Sequence, residues 1–157
     1  MLVLWMGKKK DIPANEIRIT NDVNGKIGEL LVAAELLKNG FQVSLPLLDK
    51  GYDLVADSGT GVLSRVQVKT ARPNKYGTYD VNFSHGTTNK IRYTADIVDA
   101  FAVCLRFDFQ TAIYIIPYAD VTCWKGVFWL SGQHPRHPVK WKHCKWEDYL
   151  YRWDLLR

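Results

Sequence analysis

Apolar positions recur every three to four residues through "GKIGELLVAAELLKNG", where Ile27, Leu30, Leu31, Ala34 and Leu37 fall on one face of a predicted helix. Asn24 stands where a helix is capped and Gly40 where one stops. A second arc of the same helix carries Val32, Ala33 and Leu36, and among them a charge, Glu29. An acid in an apolar arc needs a reason, because that arc must also pack against something.

Past Gly40 the pattern shortens to strand lengths. "FQVSLPL" predicts a strand closed by Pro46. "YDLVAD" and "VLSRVQVKT" predict the two arms of a β-hairpin, with Ser58-Gly59-Thr60-Gly61 as its turn. "TYDVNFS" predicts a further strand. "DIVDAFAVCLRF" and "TAIYIIPY" are apolar enough for buried strands that turn back at about Asp108 to Gln110. In "KWEDYLYRWDLLR" the residues Trp146, Tyr149, Leu150, Trp153 and Leu156 recur at helical spacing and predict a closing amphipathic helix. Residues 1–20 read as an N-terminal extension, with a short apolar strand, then Lys8-Lys9-Lys10, then a polar stretch. The order helix, strands, helix predicts one α/β domain over residues 21–157, built on a mixed or mostly antiparallel sheet.

The hairpin also carries candidate chemistry. With the turn centred between Gly59 and Thr60, Asp53 falls roughly opposite Gln67. Gln67 and Lys69 are two apart on one strand, so they share a face. Their neighbours Leu54, Val55, Val66 and Val68 are apolar, which predicts arms that are at least half buried. A carboxylate, an amide and an ammonium gathered there are costly unless they are paired or hold a metal. Oxygen donors from Asp53 and Gln67, with Glu29 direct or through water, suit a hard divalent ion such as Mg²⁺, for which Mn²⁺ can substitute. Such an ion acidifies a bound water, and Lys69 is placed to orient or deprotonate it. The chemistry that these groups describe together is phosphodiester hydrolysis.

These residues resemble the PD-(D/E)XK nuclease superfamily, whose pattern is a Glu on a helix, an Asp opening one hairpin strand and (D/E)-x-K on the next. Here the matching positions are Glu29, Asp53 and Gln67-Val68-Lys69. The run from "GELLVAAELLKNGFQV" through "VQVKT" is similar to the branch that contains group I intron-encoded homing endonucleases, and also resembles archaeal Holliday-junction resolvases. With "DIVDAFAVCLRFDFQTAIYIIPYADV" the resemblance covers roughly residues 24 to 121. It implies a restriction-endonuclease-like fold, a central mixed sheet flanked by helices, and a sequence-specific homing or restriction-like enzyme acting on double-stranded DNA. It also implies a homo-dimer or homo-tetramer, so that each strand meets a site. Two alternatives stay open: a junction resolvase, and a non-catalytic DNA-binding protein that keeps the fold. Two positions depart from the pattern. Tyr52 stands in place of Pro, and Gln67 in place of the second acid removes a negative charge from the site. Asp49 and Asp57 lie close by in sequence and read as loop and turn residues.

Composition adds modest constraints. The chain has 157 residues and a formal net charge of +5, which permits a polyanionic partner without requiring one. Thr70, Arg72, Lys75, Tyr76, Lys90 and Arg92 are the candidate DNA contacts, the last two within the polar loop "HGTTNKIRY". The segment "SGQHPRHPVKWKHCKW" holds His134, His137, His143 and Cys144, with Cys123 upstream, but the spacing matches no common zinc finger. Its basic residues alternate with Trp141 and Trp146, as in single-strand grips, while core packing is the stronger reading of the tryptophans. Three cysteines without paired spacing suit a reducing compartment. The start "MLVLWMGKKK" has its apolar and basic parts in the reverse of signal-peptide order, so a cytoplasmic protein is expected.

Overall fold

The computed structural model describes residues 14–48, 50–86, 89–107, 110–128 and 146–157, without the side chains of residues 14–20 and 107. It opens on a 25-residue helix, α1 (Ala14–Lys38). The strands follow as β1 (Gln42–Ser44), β2 (Leu54–Asp57), β3 (Leu63–Ala71), β4 (Tyr79–Asn82), β5 (Ser84–His85), β6 (Ile91–Arg92), β7 (Ala100–Phe107), β8 (Gln110–Pro117) and β9 (Lys125–Phe128). Five of them form the central sheet in the order β1-β2-β3-β7-β8. Every pairing in that sheet is antiparallel except β3 with β7, which is parallel. The expected α/β domain with a central mixed sheet is therefore present.

Both faces of the sheet are covered, and so "AFAVCL" in β7 is apolar without a break. Ala100, Ala102 and Cys104 point to the side of α1, where Val32 and Leu36 meet Leu54, Ala56, Val66 and Val68. Phe101, Val103 and Leu105 point to the other side, against Tyr79, Val81, Phe83, Phe128 and Trp146. There Trp146 stacks on Phe128 with ring centres 4.8 Å apart. The two-stranded β4–β9 sheet, not a second α-helix, supplies much of that layer. Trp146 and Trp153 are both core residues, as the packing reading of the tryptophans expected.

The hairpin turn forms as expected. Gly59 and Gly61 both take positive φ, and Gly59 N–H donates to Asp57 Oδ1 at 2.8 Å, so Asp57 is a turn residue. The segment "TYDVNFS" breaks at Phe83 into β4, which pairs with β9, and β5, which pairs with β6.

Three expectations fail. The helix runs straight through Asn24 and starts at Ala14, so residues 14–20 belong to α1 and Asn24 is no cap. The buried face of α1 is the arc of Gly28, Val32 and Leu36, while Leu30 and Leu37 are more than half exposed. The sheet selects the arc with the smallest residue because it lets helix and strand approach closely. Finally, the tail is two 3-10 turns, Trp146–Tyr149 and Trp153–Leu156, not an α-helix. Leu150 between them bridges to Tyr114 on the edge strand β8, and Tyr151 has φ 55°. The tail thus straddles the sheet edge, sending Trp146 to one face and Trp153 and Leu156 to the other. One regular helix would keep them on a single face.

Candidate active site

The site lies where β3 outruns β2. Their antiparallel register ends at Leu54 opposite Val66, whereas β3 continues to Ala71 alongside β7. Asp53 is the next residue back along the chain, and its N–H still bonds to Val66 O at 3.0 Å. Its side chain then takes over the ladder. Asp53 Oδ2 accepts the N–H of Val68 at 2.8 Å, a donor that a longer β2 would have met with a carbonyl. The Gln67 amide donates to the same oxygen and to Val68 O. Both neighbours of that amide nitrogen are acceptors, which fixes the orientation of the group and leaves Gln67 Oε1 available.

The helix delivers the fourth group. Gly28 sits so close to β3 that a methyl group there would come within 1.8 Å of Thr70 Oγ1. That approach carries Glu29 to the mouth of a cavity of about 360 Å³, lined also by Asp53, Gln67 and Lys69. Glu29 is 17% exposed and pairs with Lys26 one turn earlier. All four residues singled out from the sequence therefore line one cavity.

The electrostatics are those of a crowded, half-buried site. Burial pushes the Asp53 carboxyl up to about 6, with Glu29 adding to the rise; the Val68 N–H, Lys69 and Lys26 oppose it. Burial pulls the Lys69 ammonium down to about 8, against the raising effect of Asp53, and Lys90 adds to the fall. Lys69 Nζ donates to Ser84 O at 3.2 Å and to the Tyr93 hydroxyl at 2.9 Å, and it lies 4.7 Å from the centre of the Tyr93 ring. The sequence reading missed Ser84 and Tyr93 as partners of Lys69. Nothing in their spacing marks them, since β5 and β6 bring them in from outside the motif.

The candidate DNA contacts divide. Thr70 and Arg72 line the cavity, but the Thr70 hydroxyl is buried against Gly28 without a hydrogen-bond partner. Lys75 and Tyr76 lie exposed between β3 and β4, with the ammonium 4.9 Å from the ring centre. Arg92 stacks over Trp124 at 4.3 Å, and Lys90 is exposed. None of these four lines the cavity. Asp49, His134, His137, His143, Cys144 and Trp141 lie outside the described residues. Cys104 is a buried free thiol.

The donor set fits a hard cation. Asp53 Oδ1, Gln67 Oε1 and the Glu29 carboxylate are all oxygen donors, the type that Mg²⁺ takes together with water. Among the described residues no three His, Cys, Asp or Glu side chains converge, so the amide is needed to complete a protein triad. The sulfur and imidazole ligands that favour zinc are not in the cavity.

An acid on a helix, an acid opening a hairpin strand and a Gln-Val-Lys run on the next strand converge on one cavity. The sequence comparison agrees: the profile of the PD-(D/E)XK endonuclease family matches residues 19–143. The chain belongs to that family and is a nuclease. Its structure is similar to that of a bacterial homing endonuclease, I-Ssp6803I, with a TM-score of 0.69 and 26% sequence identity over 85% of this chain and 90% of that one. No curated protein matches the sequence at a significant level. Members of the family generally use divalent metal ions. Among the described residues no helix is long and apolar enough to cross a membrane.

Proposed function

We propose that this nuclease is a Mg²⁺-dependent, sequence-specific endonuclease of double-stranded DNA. The observation that carries the reading is the double use of Asp53 Oδ2, which accepts from both Val68 N–H and Gln67 and so locks the carboxylate at the open edge of β3. Asp53, Gln67 and Glu29 hold the metal. When bound, the metal supplies Lewis-acid polarisation of the scissile phosphate and a more acidic water. Lys69 is held by Ser84 and Tyr93, and its lowered proton affinity gives it a larger neutral fraction, able to accept a proton, than an ordinary lysine has near neutral pH. The burial that depresses it also strengthens its interaction with charge developing on phosphorus.

Cleaving two strands calls for two sites, and a second copy of the chain is the simplest source. The outward face of α1 supports this. Val23, Leu30 and Leu37 repeat every seven residues and are 50%, 54% and 58% exposed, with Ile27 and Ala34 between them. That is the spacing on which a second helix packs. Light scattering of Leu30→Glu against the wild type tests the interface, with loss of the larger species as the expected result.

The deciding experiment digests complex genomic DNA with Mg²⁺ or Mn²⁺ and sequences the new ends, with Lys69→Ala run alongside and a four-way junction as a second substrate. Recurrent ends that vanish in Lys69→Ala are expected. Equal cutting by the variant would overturn the assignment, and cutting confined to the junction would replace sequence by structure as the thing recognised.

A further inference from the structure

The cavity extends past the four proposed catalytic groups to Asn24 and Arg72, beside which Arg106 stands outside the lining. Arg72 and Arg106 both donate to a single acceptor, Oδ1 of Asn24 on α1, the second at 3.3 Å. The sheet brings them together. The parallel register of β3 with β7 runs to Ala71 opposite Leu105, which makes Arg72 and Arg106 the next pair across. Adjacent strands are about 4.8 Å apart, so two guanidinium groups are held side by side. Neither forms an ion pair among the described residues. Two like charges meeting on a neutral amide oxygen is an unbalanced arrangement, and an anion would balance it.

The space beside them is open. Asn24, Gly25 and Arg72 line the same cavity as Asp53 and Lys69. A methyl group at Gly25 would touch nothing within 4 Å, although glycine is a poor residue inside a helix. Close packing explains Gly28 but not Gly25, which keeps the floor of the cavity low where a ligand backbone would lie.

We propose that Asn24, Arg72 and Arg106 form a second phosphate site, separate from the metal site, that takes a flanking phosphodiester of the strand being cut. The proposal rests on the nuclease reading above. Lys69 and Arg72 are three residues apart, about 10 Å along a strand. DNA advances about 3.4 Å per nucleotide, so the bound phosphate lies within about three nucleotides of the scissile one. Its role is to set the register of the strand over Asp53 and Gln67.

Salt-dependent binding tests this on the full chain. The affinity for a mixed-sequence duplex is measured without divalent ion between about 50 and 200 mM salt. Arg106→Gln should weaken binding and lower the slope of log affinity against log salt by about one, and Arg106→Lys should restore the slope. Asn24→Asp separates binding from folding. It places a carboxylate between the two guanidinium groups, so it should hold or raise the melting temperature while weakening DNA binding about as much as Arg106→Gln. If Asn24→Asp and Arg106→Gln both fold and keep wild-type affinity and slope, the phosphate site is overturned and the contacts serve only to tie α1 to the sheet. A wild-type chain with no salt-dependent affinity for DNA would overturn the nuclease reading along with it.

Discussion

Gln67 donates a hydrogen bond to Asp53 across the open end of the β2–β3 hairpin, so an amide stands where the family pattern has a second acid. The substitution changes the metal-free site more than its shape. With an acid there, two carboxylates would share one edge and repel; with the amide, the same contact is attractive.

Gln67→Glu should therefore separate metal-free and metal-bound stability. Without metal at neutral pH the variant loses its hydrogen bond and gains a like-charge contact, costing on the order of 1–3 kcal/mol. With saturating Mg²⁺ that loss should shrink. Thermal melts with and without Mg²⁺ check this, and an equal metal increment in both proteins would count against a cation bound at Gln67.

Asp53 itself should make the metal-free fold less stable as pH rises. Its folded pKa is raised to about 6 from an ordinary 3.8. The folded chain thus holds the proton more tightly, and stability present below about pH 4 is lost as pH climbs through about 6. Asp53→Asn cannot ionise. It should be more stable than the wild type by on the order of 1–3 kcal/mol at pH 7, with the difference closing towards pH 4. Denaturant melts at the two pH values read this directly.

Lys69 gives the opposite sign in catalysis. Its neutral form becomes the major one above about 8. If it acts as the base, cleavage under single turnover should climb with pH and level off above about 8, and Lys69→Ala should lose roughly 10²- to 10⁴-fold. A rate that falls above pH 8 would make the charged ammonium the working form.

Gly28→Ala should be destabilising by roughly 1–3 kcal/mol, because the new methyl group meets Thr70 Oγ1 at 1.8 Å and Thr70 Cβ at 2.9 Å. Thr70→Ala removes the closest atom. In the double variant Gly28→Ala/Thr70→Ala much of the loss should be recovered, a coupling that a double-mutant cycle on urea melts measures.

How far the sequence led is clearest at the hairpin. Strong turn residues place Asp53 roughly opposite Gln67 from the sequence alone, the observed register lying one residue from the expected turn centre, and Gln67 and Lys69 share a face by parity. The helix was legible as a helix but not in orientation. Two apolar arcs compete on α1, and contact with Thr70 at Gly28, a long-range event, chooses between them. The tail misled because helical spacing and a chain crossing a sheet edge can bury the same residues. Leu150 pairing with Tyr114 decides that case, and no local signal announces it. Ser84 and Tyr93 meet Lys69, and Arg106 meets Asn24, only through tertiary pairing, so no motif contains them.

The loop lengths of the mixed sheet favour one order of assembly. Asp53 and Gln67 meet in a short hairpin, a local contact that closes cheaply. Lys69 needs Tyr93, 24 residues on, and the parallel pairing of β3 with β7 closes a comparable loop. Under the proposed roles, the metal ligands of the hairpin can come together before the base is seated. A chain still folding would then be able to hold an ion but not to cut, and hydrolytic competence would arrive with the last crossover of the sheet.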